Sequence, residues 1–121
     1  MAKRVLVADD NPLIRKMLCR LFEVEEDYGI CAEAADGEQA IELALKHRPD
    51  LIILDLAMPL FNGLEAAHKI KKMMPHVPII LFTQHAKVGI TLLETNGTID
   101  RTVSKSDPGS LMESVRSLAP A

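Results

Sequence analysis

Residues 49–59 read Pro-Asp-Leu-Ile-Ile-Leu-Asp-Leu-Ala-Met-Pro. Leu51 to Leu54 is an unbroken apolar run of strand length, the pattern of a central strand buried on both faces. An acid, Asp55, stands where the run stops, and Met58-Pro59 then turns the chain away. Packing alone gives no reason to end such a strand in a carboxylate. At the carboxyl edge of a parallel sheet, that position is where α/β folds bind ligands. The stretch therefore predicts an α/β protein with a functional acid at Asp55.

Strand and helix patterns alternate on both sides of it. Toward the N-terminus, Arg4 to Ala8 is a short buried strand closed by Asp9-Asp10. Asn11 is a good N-cap and Pro12 a good first helical residue. Leu13, Ile14, Met17, Leu18, Leu21 and Phe22 then repeat at helical spacing. Tyr28 to Ala34 reads as a weaker strand nearer the sheet edge. Asp36-Gly37-Glu38-Gln39 has the form of a capping box, and Ile41, Ala44 and Leu45 give its helix an inward stripe.

Toward the C-terminus, Asn62-Gly63-Leu64-Glu65 repeats the capping pattern before a helix striped by Leu64, Ala67, Ile70 and Met74. Val77 to Phe82 is a fourth strand. Residues 84–96 contain Gly89 and several β-branched residues and lack a clean stripe, so a short helix is expected there. Ile99 to Ser104 is a fifth, half-polar strand ending at Lys105. Asp107-Pro108 caps and starts a last helix with the stripe Leu111, Met112, Val115, Leu118 and Ala119. Five βα units in a row imply a doubly wound parallel sheet with helices on both faces, a single domain over residues 1–121.

Composition narrows the function classes. The chain has 121 residues, 48% apolar and 26% charged, the balance of a soluble globular protein. A net charge of -3 argues against a nucleic-acid surface, and three Phe, one Tyr and no Trp make a poor stacking platform for bases. No apolar run reaches about 18 residues and no signal segment opens the chain, so no membrane contact and a cytoplasmic location are expected. Cys19 and Cys31 lack metal-ligand spacing and lie in apolar-patterned stretches, which predicts two buried thiols in a reducing compartment. His47, His68 and His76 fall in helices or turns and should be solvated.

In a parallel sheet the carboxyl ends of all strands open on one edge. That brings Asp9, Asp10, Asp55, Thr83 and Lys105 together, each group at the end of a different strand-like run. Carboxylates about 5 Å apart repel by about 3 kcal/mol per pair at an effective dielectric of 20. One lysine does not balance three acids; a divalent cation with oxygen ligands does, and a few carboxylates plus retained waters suit Mg²⁺. An acid pocket with Mg²⁺, a lysine and a hydroxyl is what phosphoryl transfer requires, with Asp55 as nucleophile.

On these residues the sequence closely resembles the receiver domain of two-component response regulators, over essentially the whole chain. Asp9-Asp10, Asp55-Leu-Ala-Met-Pro59 with Gly63, Thr83 and Lys105 carry the resemblance. It implies a flavodoxin-like fold with strand order 2-1-3-4-5. It also implies that Asp55 accepts a phosphoryl group from a phosphohistidine on a sensor histidine kinase or phosphotransfer protein. Mg²⁺ would be held by Asp10, Asp55 and the carbonyl of Ala57, with Asp9 acting through water. Thr83 and Lys105 would bind the phosphoryl oxygens. Such a domain is a phosphoacceptor and not a multiple-turnover enzyme. Ala35 to Ala40 and Asn62 to Glu65 look most like receivers that precede a helix-turn-helix output domain.

Three positions depart from the family pattern. Thr102 stands where an aromatic switch residue is usual, Ser106 where a proline usually follows the lysine, and Gln84 where a small residue follows the threonine. All border residues 84–104, the face through which a second copy or a downstream effector would be engaged. The sequence thus predicts an intact phosphorylation site with an altered output face. Ala57 and His85 would line the path of a hydrolytic water. The alternative reading is a receiver-like binding module that works without phosphorylation. A Mg²⁺-dependent phosphatase on a similar fold would need a second acid two residues past Asp55, where Ala57 stands.

Overall fold

The computed structural model describes residues 2–84 and 97–121. Strands β1 (Lys3–Ala8), β2 (Tyr28–Ala34), β3 (Leu51–Leu54), β4 (Ile79–Thr83) and β5 (Arg101–Ser104) form one parallel sheet in the order β2-β1-β3-β4-β5. Helices α1 (Pro12–Glu23), α2 (Gly37–His47), α3 (Gly63–Met73) and α4 (Pro108–Leu118) cover it. The helix expected over residues 84–96 lies, from His85 onward, outside the described residues.

Alternation along the strands divides the core into two layers. Leu6, Ile52, Leu54, Ile79 and Leu81 face α2 and α3, where Ala40, Ala44, Ala66, Ala67 and Ile70 meet them. Val5, Val7, Leu51, Ile53, Ile80 and Phe82 face α1 and α4, against Leu18, Phe22, Leu111, Met112 and Val115. Each of Leu51 to Leu54 is fully buried, as a central strand requires. The edge strand β2 carries an extra residue: Val5 pairs with Ile30 but Leu6 pairs with Ala32. Cys31 and Ala32 consequently pack toward the same layer, while Ile30 packs toward the other.

The helix starts follow their sequence signals with two exceptions. Asn11 Oδ1 accepts from the Leu13 N–H, and Asn62 with Glu65 forms a complete capping box. Asp36 accepts from the Gln39 N–H, but Gln39 returns its bond to the N–H of Ala35 instead of closing the box. Asp107 occupies the N-cap of α4 without a side-chain cap bond; only its carbonyl serves, accepting from the N–H of Ser110.

The buried faces of the helices are narrower than their apolar stripes. Leu13 is 73% exposed and Leu45 is exposed too, because each lies at the edge of its stripe that turns away from the sheet. Cys19 and Cys31 are half-buried, not buried, since Cys19 sits on the flank of α1 and Cys31 on the edge strand. Burial and the neighbouring Glu33 push the Cys19 thiol up to about 11, so it stays protonated. His68 and His76 are exposed, whereas His47 is half-buried.

Two glycines clamp the loop that follows β3. A Cβ on Gly63 would lie 2.1 Å from the carbonyl oxygen of Asp55, and one on Gly37 would lie 1.7 Å from that of Phe61. The Gly63 N–H donates to Leu56 O at 2.9 Å and the Gly37 N–H to Pro59 O at 3.3 Å. The loop is thus held by the first turns of α2 and α3 at once.

Candidate functional site: an acidic pocket at the carboxyl edge of the sheet

The β1, β3, β4 and β5 ends converge as the alternation requires. Asp9 follows β1, Asp55 follows β3, Thr83 closes β4 and Lys105 follows β5. The backbone sets their spacing: the Asp55 N–H donates to Ala8 O at 2.9 Å, and the Lys105 N–H to Thr83 O at 2.9 Å. Asp9, Asp55 and Thr83 are the buried polar residues of the described chain. Asp10 is exposed, and its carboxylate shares a site with those of Asp9 and Asp55, the ligand oxygens lying within 4.8 Å of one another.

Lys105 Nζ enters this cluster, 2.7 Å from Asp9 Oδ2 and 3.3 Å from Asp55 Oδ1. The second oxygen of Asp9 accepts from the Asn11 N–H at 2.9 Å. Burial pushes the Asp55 carboxyl above its usual value, and the charge of Asp9 adds to the rise; Lys105 and the Leu56 N–H pull the other way and do not cancel it. For Lys105, burial disfavours the ammonium, but its bonds to Asp9 and the charges of Asp55 and Asp9 outweigh this and raise its pKa. Lys105 thus does not offset the combined effect of burial and the Asp9 charge on Asp55.

Ala57 is exposed in the loop two residues past Asp55, and Gln84 is exposed just beyond Thr83. His85, which the sequence places on the path of a hydrolytic water, lies outside the described residues. Thr102 pairs with Leu81 across the β4–β5 ladder, and its Oγ1 is buried with no hydrogen-bond partner among the described residues. No described peptide bond is cis, that between Lys105 and Ser106 included.

One residue at the pocket escaped the sequence reading. Arg15, on the first turns of α1, donates from Nη1 to the carbonyl of Asp9 at 2.7 Å, and its Nε lies 3.5 Å from Glu33 Oε1 on β2. No motif marks it; its only sequence signal is a cation beside the apolar stripe, one turn after Asp9-Asp10.

The model of the response regulator receiver domain matches residues 5–116. The chain belongs to the response regulator receiver family. It is 45% identical over 84 residues to the transcriptional regulatory protein PdtaR of Mycobacterium tuberculosis, covering 68% of this chain and 40% of that protein. It is 29% identical over 117 residues to the transcriptional regulatory protein DegU of Brevibacillus brevis, covering 96% of this chain and 50% of the relative. This receiver thus spans half or less of the length of these curated relatives. Among solved structures, a LuxR-family two-component response regulator from Aurantimonas superposes with a TM-score of 0.91 at 30% identity, covering 98% of this chain and 86% of that one. The response regulator domain of Thermotoga maritima CheB gives 0.91 at 26%, covering 100% and 98%. The strand order expected from the sequence is the one observed. Among the described residues no helix is long and apolar enough to cross a membrane.

Proposed function

We propose that this receiver is a phosphoacceptor switch in which Asp55 takes a phosphoryl group from a phosphohistidine of a sensor kinase or phosphotransfer protein. The observation that carries the reading is the ion pairing of Lys105 with both Asp9 and Asp55 at the end of the central strand. A carboxylate oxygen of Asp55 forms the new P–O bond; the P–N bond breaks and its electron pair stays on the imidazole of the donor. Lys105 and the hydroxyl of Thr83 take up the charge of the equatorial oxygens. The receiver is consumed once per transfer and acts as a stoichiometric acceptor, not a multiple-turnover enzyme.

The acid cluster fits a divalent cation on three counts: three carboxylate oxygens within 4.8 Å, one of the acids open to solvent, and an Asp55 carboxyl raised by burial and by the charge of Asp9, which Lys105 does not cancel. Asp10, Asp55 and the Ala57 carbonyl would hold Mg²⁺, with Asp9 acting through water. When bound, Mg²⁺ neutralises charge on the phosphoryl oxygens. Asp9 itself is held in place by Lys105 and the Asn11 N–H.

A donor must bring its imidazole to Asp55 from the exposed side of the pocket, where Asp10 lies. There α1 presents Leu13, Met17, Leu21 and Val24 with Lys16 and Arg20 beside them, lining a groove of about 480 Å³. An apolar strip edged by cations suits an amphipathic helix with acidic flanks, and we assign the helical histidine donor to it. The output face differs from the family pattern at Thr102, whose buried hydroxyl replaces a ring. That difference supports the second reading, a binding module that does not need phosphorylation.

Acetyl phosphate with Mg²⁺ separates the two. Intact mass should increase by one phosphoryl group in the wild type and remain unchanged in Asp55→Asn. A wild type that gains no mass from acetyl phosphate or from a phosphorylated histidine donor leaves only the binding module.

A further inference from the structure

We propose that Arg15 is a positioning residue for the metal-binding acid Asp10, acting through the peptide bond between Asp9 and Asp10. The inference rests on the reading of the acid cluster as a divalent-cation site. Every polar group of Asp9 is engaged. Its N–H donates to Ala34 O at 3.0 Å, its carboxylate oxygens accept from Asn11 N–H and Lys105, and its carbonyl accepts from Arg15 Nη1 at 2.7 Å.

The Asp9 carbonyl and the Asp10 N–H belong to one rigid peptide plane, so the atom that holds that carbonyl fixes the direction in which Asp10 leaves the strand. Asp10 needs such help. It is exposed, and its carboxylate makes no described hydrogen bond or ion pair. Arg15 is itself braced: the Glu33 carboxylate on β2 lies 3.5 Å from its Nε. A chain of contacts thus runs from β2 through α1 to the peptide that carries Asp10.

Charge and position predict opposite signs. As a bare cation beside three carboxylates, Arg15 would repel Mg²⁺, and removing it would tighten binding. As the holder of the Asp9 carbonyl, it preorganises Asp10, and removing it should weaken binding by about tenfold, the scale of outer-shell losses at metal sites. The test is Mg²⁺ titration of the wild type, Arg15→Gln, Arg15→Lys and Glu33→Gln by calorimetry, with amide hydrogen exchange at Asp10 in metal-free protein.

Positioning predicts weaker Mg²⁺ binding in Arg15→Gln, partial recovery in Arg15→Lys, and faster exchange at Asp10 without metal. Glu33→Gln, at a half-exposed side chain that leaves the fold undisturbed, should weaken binding less than Arg15→Gln but in the same direction. Equal or tighter binding in Arg15→Gln, or in Glu33→Gln should the former not fold, overturns the positioning role while leaving the cation site standing. A wild type that binds no Mg²⁺ overturns the site and this inference together.

Discussion

The sharpest mechanical test of the fold is Gly63→Ala, with Gly29→Ala as its counterpart. A Cβ at position 63 would stand 2.1 Å from Asp55 O, 2.9 Å from Asp55 C and 3.0 Å from Leu56 Cα. All three are backbone atoms, so no side chain can rotate aside; the start of α3 must retreat by about 1 Å to reach an acceptable contact. That retreat breaks the 2.9 Å bond from Gly63 N–H to Leu56 O and loosens the Asn62–Glu65 capping box. Each loss is worth about 1 kcal/mol, and the residual crowding adds at least as much, giving about 3 kcal/mol. With an unfolding entropy of about 2.1 cal/mol/K per residue, this domain should melt about 12 °C lower. At Gly29 nothing lies within 4 Å of the added carbon. Gly29→Ala should therefore stay within about 2 °C of the wild type. Thermal denaturation of the three proteins decides the matter. Similar melting temperatures for Gly63→Ala and the wild type would refute the clamp.

Three further outcomes follow from the pocket and its supports. Asp55→Asn should raise the melting temperature at pH 7, because a carboxyl whose folded pKa lies above its unfolded value costs stability once it ionises. The gain should shrink as pH falls from the raised folded value through the ordinary 3.8 and vanish below it; a constant difference across that window would contradict the assignment. Lys105→Met strands Asp9 and Asp55 together and should cost about 3 kcal/mol at pH 7, less at pH 4, as read by urea unfolding. Asn62→Ala removes the cap of α3 and should cost about 1 kcal/mol in the same assay, without change in the denaturant slope.

What could be read from the sequence was what local pattern determines. The run Leu51 to Leu54 announced a buried central strand, and the acids, threonine and lysine at strand ends could be placed together because parallel strands share an edge. The weak reading of β2 has a concrete cause: Cys31 is the extra residue of a bulge, so the period-two alternation breaks between Ile30 and Ala32. Leu13 and Leu45 are exposed although they lie on apolar stripes, because helical periodicity gives a stripe but not which of its margins meets the sheet. Asp107 looked like a cap because acids often are, yet only its backbone carbonyl serves. Arg15 could not be found at all. Its role depends on the distance from a helix side chain to a strand-end carbonyl, a tertiary quantity that no spacing encodes.

The extra residue in β2 also sets a tolerance for length. Register is offset by one residue beyond Val5, so removing Cys31 alone would bring both halves of the strand onto a single offset, with Ile30 and Ala32 facing opposite layers as ordinary neighbours do. Ala34 would still stand opposite Ala8 and still receive the Asp9 N–H. The edge strand can thus be shortened by one residue while the peptide that carries the acids stays fixed, which insulates the chemical end of the sheet from insertions and deletions at its rim.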